Sequence, residues 1–260
     1  MREQPIAAAL AVLLLSAPAW PAVKNAKGAE AGADSEKVER TLIAPDTELI
    51  DVPTAAILDY GGYSSRTRFF SSGGVMEWIS FGVFQRLNIG ASMNVDRLVG
   101  TATPVQVTRP DLQVRFRLYD GERRLPALAL GFDGQGYTYN RPELKWNQRQ
   151  RGAYLAASQE IVVPGLHAHA GMNMSDFNSN AIFGFLGADY NIKDKVLLMA
   201  EWDNLSNFLD SRVNLGFRTY INPNFHLDFA VRSIGQGGAF TNGVARGSER
   251  IVNFKYTGNF

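Results

Sequence analysis

The sequence predicts an all-β fold: an antiparallel transmembrane β-barrel of about twelve strands, closed by the C-terminal strand. Three observations carry this prediction. From about residue 54 onward, short segments alternate strictly between apolar and polar residues. The connections between them sort by parity, mostly short after even-numbered segments and longer after odd-numbered ones. The chain ends "IVNFKYTGNF", an alternating, aromatic-rich stretch finishing on Phe260, where an uncaptured terminus would fray.

The elements follow in order. "MREQPIAAALAVLLLSAPAW" pairs Arg2 with an apolar run from Ile6 to Leu15 and a small-x-small site at Ala17-Pro18-Ala19. Ten residues rise only about 15 Å as a helix, half a bilayer. Residues 1–19 are therefore read as a cleaved signal, with cleavage near Ala19. Residues 20–46 are rich in Ala, Gly, Lys and Glu and bury little, so they are expected to form a flexible periplasmic tail, with 47–260 as the barrel.

Strands are expected near residues 62–70, 75–84, 87–95, 111–119, 126–133, 151–160, 166–175, 181–190, 195–203, 212–220, 225–233 and 250–260. "LNIGASMNV" is the clearest: Leu87, Ile89, Ala91, Met93 and Val95 share one face. The connections "QR", "DGERRL", "NIKDK" and "INPN" are short; "DGQGYTYNRPELKWNQRQ" and "IGQGGAFTNGVARGSE" are long and read as loops. The "SSGG" connection after the first strand is short and breaks the rule. No stretch after the signal has the apolar length of a membrane helix, whereas strands of about 9–11 residues suffice. In lipid every backbone group must be paired, so a spanning sheet has to close, and the terminal strand would seal it. Aromatics cluster at strand ends, among them Phe84, Tyr119, Tyr190, Tyr220 and Phe225 beside short turns, as an interfacial girdle requires. Alternation alone also fits a soluble secreted β-barrel with its apolar face inward, binding an apolar ligand. The signal, the loop parity and the aromatic end favour the membrane version.

Composition excludes several function classes. Formal net charge is +1, which gives no argument for nucleic acid as a partner. The chain has no cysteine, so disulfides, thiolate catalysis and cysteine metal sites are excluded. No phosphate loop, G-x-S-x-G or H-E-x-x-H is present, and no cofactor or metal is called for.

With apolar faces toward lipid, the opposite faces place Arg66, Arg68, Arg115, Arg117, His167, His169, Glu201, Asp203, Arg218, Asp228, Arg232 and Lys255 in the lumen. These could line a path that selects solutes, or fill a narrow barrel with internal salt bridges. His167 or His169 could approach Ser158 across a hairpin, the basis of an outer-membrane hydrolase reading, but both fit as lumen hydrogen-bonding groups.

The stretches "DVPTAAILDYGGYSSRTRFFSSGG", "RPDLQVRFRLYDGERRLPALALGFDGQGY", "GLHAHAGMNMSD" and "LGADYNIKDKVLLMAEWD" resemble the YjbH-like outer-membrane barrels, over roughly residues 50–260. The Pro-Thr opening, "PALALGFD" and "AEWD" are the most specific pieces. The resemblance implies an outer-membrane address and an association with exopolysaccharide production. Outer-membrane barrels commonly end in Phe with this spacing, so by resemblance Phe254, Tyr256 and Phe260 would form the signal read by the barrel-assembly machinery. The expected function is a non-enzymatic narrow pore, or an accessory to glycan export or envelope assembly. Expected partners are outer-membrane lipid, the assembly machinery, and polysaccharide or export proteins.

Overall fold

The structure, a computed structural model, describes residues 46–101, 104–161, 163–175, 181–205, 211–240, 243 and 245–260. The predicted signal and all of the predicted tail except Asp46 lie outside the described residues.

The alternating segments form strands. In chain order these are β1 (Gly62–Phe70), β2 (Gly74–Phe84), β3 (Leu87–Asp96), β4 (Gln106–Val107), β5 (Asp111–Tyr119), β6 (Ala127–Asp133), β7 (Tyr137–Asn140) and β8 (Lys145–Gln148). They continue as β9 (Gly152–Glu160), β10 (Leu166–Met174), β11 (Phe183–Ile192), β12 (Val196–Asp203), β13 (Arg212–Asn222), β14 (Phe225–Ile234) and β15 (Glu249–Asn259). Twelve of them close into one antiparallel barrel in the order β1-β2-β3-β5-β6-β9-β10-β11-β12-β13-β14-β15 and back to β1. The seam runs from Gly62 opposite Asn259 to Phe69 opposite Val252. The C-terminal strand thus removes the last open edge.

Turn chemistry sets the boundaries. Between β11 and β12, Lys193 and Asp194 both have φ of 54°, the left-handed pair of a tight hairpin turn, and Lys195 N–H donates to Ile192 O. This extends β11 to Ile192, two residues beyond the alternation. The connections β2–β3, β5–β6, β9–β10, β11–β12 and β13–β14 fall at one end, with β1 starting and β15 finishing beside them; the longer connections fall at the other, together with the short turn Ser71–Gly73 between β1 and β2. The connection 134–151 is not a plain loop: β7 and β8 pair as a hairpin of their own.

Polarity decides how the barrel is solvated. Outward-facing Leu112, Leu130, Leu198, Leu215 and Phe217 are 43–54% exposed, while inward-facing Asp203, Arg218, Asp228, Arg232 and Lys255 are 0–2% exposed. A soluble barrel holding an apolar ligand needs the opposite arrangement, and its charged groups would not forgo water for the inside. An apolar outside around a polar inside is the arrangement of a barrel solvated by lipid. One outward carboxylate, Glu77, interrupts the band; it accepts hydrogen bonds from Ser65 Oγ at 2.7 Å and Thr67 Oγ1 at 2.5 Å on the neighbouring strand.

Residues 47–61 precede the first strand, and the first dozen of them are inside the barrel. Leu49, Ile50, Val52 and Ala55 are 0–1% exposed. Glu48 bridges Pro53 antiparallel, Leu49 N–H donates to Val52 O, and Thr54 N–H donates to Thr47 O. The segment is therefore a tight hairpin that turns at Ile50-Asp51. It enters and leaves by the short-turn end, because the chain passes from it through Asp59 directly into β1. Two wall glycines make room: a Cβ on Gly187 would lie 2.8 Å from Leu49 Cδ1, and one on Gly82 would lie 1.9 Å from Asp59 O.

Candidate functional site

The inward face of the wall and the hairpin 46–58 form one charged assembly. At its centre is Asp51, at the hairpin tip. Its carboxylate accepts from Arg68 Nη1 at 2.7 Å and Arg232 Nε at 2.6 Å, with Tyr137 Oη at 3.3 Å. Arg68 also donates to Ile50 O at 2.5 Å, and Arg151 to Asp51 O at 3.0 Å. Glu201, on β12, answers from the other side. Its Oε1 accepts the backbone N–H groups of Ile50, Asp51 and Val52 at 2.7, 2.9 and 2.8 Å, and Asn214 donates to its Oε2. Three consecutive amides converging on one carboxylate fix the turn, and charge-assisted bonds of this kind are the strong ones.

The first limb is held by ion pairs. Arg218 Nη1 is 2.6 Å from Asp46, and its Nε and Nη2 bond both oxygens of Asp228 at 2.7 and 2.9 Å. Lys255 lies 3.8 Å from Asp46 and 3.9 Å from Glu48; Arg66 is 3.2 Å from Glu48 and stacks 3.8 Å over the Trp78 ring. Tyr220, expected in the interfacial girdle, follows Arg218 on the inward face instead and donates to Asp46 at 2.5 Å. Arg115 donates to Thr47 O and to Ala56 O, straddling both limbs. The hairpin is not one of the spanning strands, and its carboxyls are poised to stay charged. Burial alone would raise Glu48; Arg66, Lys255 and Arg115 override it and hold it at about 2. Burial likewise works against Asp51, and Arg232, Arg68 and Arg212 hold it well below the usual carboxylate range.

The second limb is held by hydrogen bonds. Ala55 N–H donates to Ser158 Oγ at 2.7 Å, and Ser158 Oγ is 2.7 Å from His169 Nδ1. His169 Nε2 and His167 Nδ1 lie 3.3 and 3.2 Å from the same oxygen of Asp189. The chain is satisfied when Ser158 donates to Nδ1 and Nε2–H donates to Asp189. The structure thus pairs Ser158 with His169 rather than His167 and adds Asp189, which the sequence did not single out. The hydroxyl is occupied by a hairpin amide.

The remaining lumen candidates are less central. Asp203 is bound by Arg151 and Arg212, each at 2.7 Å. Arg117 shares the face of Arg115 nearer the short-turn end, with its Nε buried and unbonded. Phe254, Tyr256 and Phe260 point outward, and Phe260 packs against Tyr63 with ring centroids 4.9 Å apart and faces Phe81 at 6.3 Å.

Two cavities adjoin the hairpin. Toward the long-loop end, above the hairpin, is a vestibule of about 560 Å³. Its wall includes Arg66, Arg68, Arg151, Arg212 and Arg232, with Tyr137 of the β7–β8 hairpin stacked 3.8 Å from the Arg232 guanidinium. Below, between the first limb and strands β1, β2, β3 and β5, is a second space of about 30 Å³. Among the described residues, no group of three or more His, Asp and Glu side chains could hold a metal ion.

Sequence reasoning missed Asp46, Glu48 and Asp51 as lumen residues. A signal was available: the expected lumen held seven cations, Arg66, Arg68, Arg115, Arg117, Arg218, Arg232 and Lys255, against three carboxylates, Glu201, Asp203 and Asp228. Such an excess inside a narrow barrel calls for acids from elsewhere.

No protein-family model matches the chain, and no curated protein matches it. Among solved structures it is similar to a KdgM porin, at 11% identity over 75% of this chain and 98% of that one, with a TM-score of 0.48. It is also similar to a NanC porin, at 10% identity over 76% and 99% of the two chains, TM-score 0.43. A third likeness is to the Acinetobacter baumannii outer membrane protein Omp33, at 10% identity over 78% and 99%, TM-score 0.35.

Proposed function

We propose that this chain is a non-enzymatic outer-membrane barrel that acts as a narrow pore, with the hairpin 46–58 as its internal constriction. One observation carries the reading: an apolar outer surface encloses a charged lumen whose long-loop end holds a vestibule of about 560 Å³ and whose floor is the hairpin. A lumen of this width has room for a small hydrophilic solute above the hairpin and for little beside it. In this reading the long loops face outside, the short turns face the periplasm, and Phe254, Tyr256 and Phe260 serve as the assembly signal. The resemblance to YjbH-like barrels supports placing the pore in exopolysaccharide or glycan export, with export proteins as partners. The test is liposome swelling with purified, folded protein and sugars of graded size. Swelling with small sugars but not with larger oligosaccharides is the expected result; swelling with none, at verified insertion, would sink the pore.

The Ser158–His169–Asp189 line favours one second reading, a lumen hydrolase. It requires the Ala55 amide to leave Ser158 before any carbonyl can approach. Labelling of Ser158 by a fluorophosphonate probe, abolished in His169→Ala, would establish it; no labelling even with the hairpin removed would dismiss it.

A further inference from the structure

We infer that solutes pass the hairpin on one side only, through a wet seam along β1, β2, β3, β5 and β6, where Arg66, Glu48, Trp78 and Asp133 form the charge-selecting station. This rests on the pore reading above and gives it a route.

The two cavities identify the seam. The vestibule and the lower space share four lining residues, Glu48, Arg66, Trp78 and Asp133, so these side chains stand between them. The lower space, at about 30 Å³, accommodates a water molecule, and a site with several polar partners keeps it wet. Its partners are polar on the wall side, with Ser64, Ser80, Asn88 and Gln113 leading toward the short-turn end. The station is also the loosest part of the charged assembly. Arg66 makes one ion pair, to Glu48, and its Nε is buried without a hydrogen bond, whereas Arg68, Arg218 and Arg232 are each bonded through Nε and at least one further nitrogen. Arg66 slides over the Trp78 ring at the lowest cost of these side chains.

The opposite side offers no such space. Glu201 grips the amides of residues 50–52, Arg218 reaches Leu49 O, and Gly187 lets Leu49 lie against the wall. Leu197, Met199, Ala230 and Ile251 pack on this side in the buried apolar cluster that holds Leu49 and Ile50 and that runs on through Phe70 and Met76 to Trp78 at the edge of the station. A hydrated solute entering there would have to displace close-packed apolar side chains.

The natural absence of cysteine makes the test clean. Single cysteines are placed in the full chain at Ser64 and Ser80, in the seam, and at Met199 and Ala230, on the closed side. Folding of each variant is checked by heat-modifiable gel mobility. Current through planar bilayers is then recorded before and after charged methanethiosulfonate reagents. The expected result is that S64C and S80C lose most of their current on modification while M199C and A230C keep theirs. A companion pair reads selectivity: Arg66→Gln should shift the reversal potential in a salt gradient toward cations, and Glu48→Gln toward anions. Current that is blocked at Met199 or Ala230, or unaffected at all four positions, overturns the seam and leaves the pore. A silent full chain overturns the seam and the reading of the full chain as a pore, and conduction once residues 46–58 are deleted then makes the hairpin a plug. Silence in both overturns the pore reading and the seam together.

Discussion

On strand β12, Leu198 and Ala200 face outward, while Leu197, Met199, Glu201 and Asp203 face inward. The outward residues have one requirement, to be apolar, and many side chains meet it. The inward charged residues each have specific partners: Glu201 holds three hairpin amides and Asp203 holds two arginines, while Leu197 and Met199 join the buried cluster around Leu49 and Ile50. Outer positions should therefore tolerate exchange within a class, and inner positions should fail even under conservative change. The same strand is a generic solvent boundary on one side and a specific binding surface on the other.

The largest effect is expected at the inner face. Glu201→Ala strands three buried backbone N–H groups and the Asn214 amide, at a cost of about 3–5 kcal/mol, the range for breaking a buried charged contact. Hydrogen exchange should show the amides of residues 50–52 losing protection first. Protection unchanged in the variant would mean that the hairpin is held by something else. Arg68→Lys sharpens the contrast: it keeps the charge but loses the fork that spans Asp51, Ile50 O and Asn253, and should weaken hairpin protection measurably.

How legible this was in the sequence follows the same division. Twelve wall strands were readable because lipid on one side and a polar lumen on the other impose a period of two, from Leu87 to Val95 as from Ile251 to Phe260. The parity of the connections gave the two ends. The hairpin was not readable this way. Leu49, Ile50 and Val52 obey no wall alternation, because they pack against Gly187 and the buried cluster rather than against lipid. Tyr220 was assigned to the girdle because it ends a strand, yet its phase with Arg218 turns it inward. The β7–β8 hairpin was hidden in a connection whose Gly, Pro and Asn content reads as loop. The one usable clue to the hairpin was the surplus of positive charge expected in the lumen.

At the outer face, a charge should be costly and an apolar exchange should not. Arg at Ala91 or Ala170 should destabilise by about 2–4 kcal/mol if the position lies at the bilayer midplane, and Leu215→Ile should change little. Denaturant unfolding in lipid vesicles measures both. Equal tolerance of Arg at Ala91 and of Ile at Leu215 would remove the lipid from the account.

A smaller effect on stability, with a larger one on assembly, is expected at the seam of β1 and β15. Phe260→Ala removes a ring packed against Tyr63 and costs at most about 1.5–3 kcal/mol. Yield in the outer membrane should fall further than that loss explains, with Asn259→Ala as the control. Normal yield of the Phe260 variant would detach the last residue from assembly.

The smallest effect concerns pH. The Glu48 carboxyl is held at about 2 and Asp51 also below its ordinary range, so the stability they contribute is fully present above the unfolded carboxylate range near pH 4. It is lost only as pH falls from there toward about 2. Hairpin protection should therefore be flat between pH 8 and about 5. Loosening within that window would assign the pairing to other groups.

The central claim is that residues 46–58 fill a lipid-solvated barrel from within. Single-channel conductance in planar bilayers tests it most directly, comparing the full chain with a chain lacking residues 46–58, each verified as folded by heat-modifiable mobility. The account predicts small current steps from the full chain and steps several-fold larger without the hairpin. Identical steps from the two chains would contradict it.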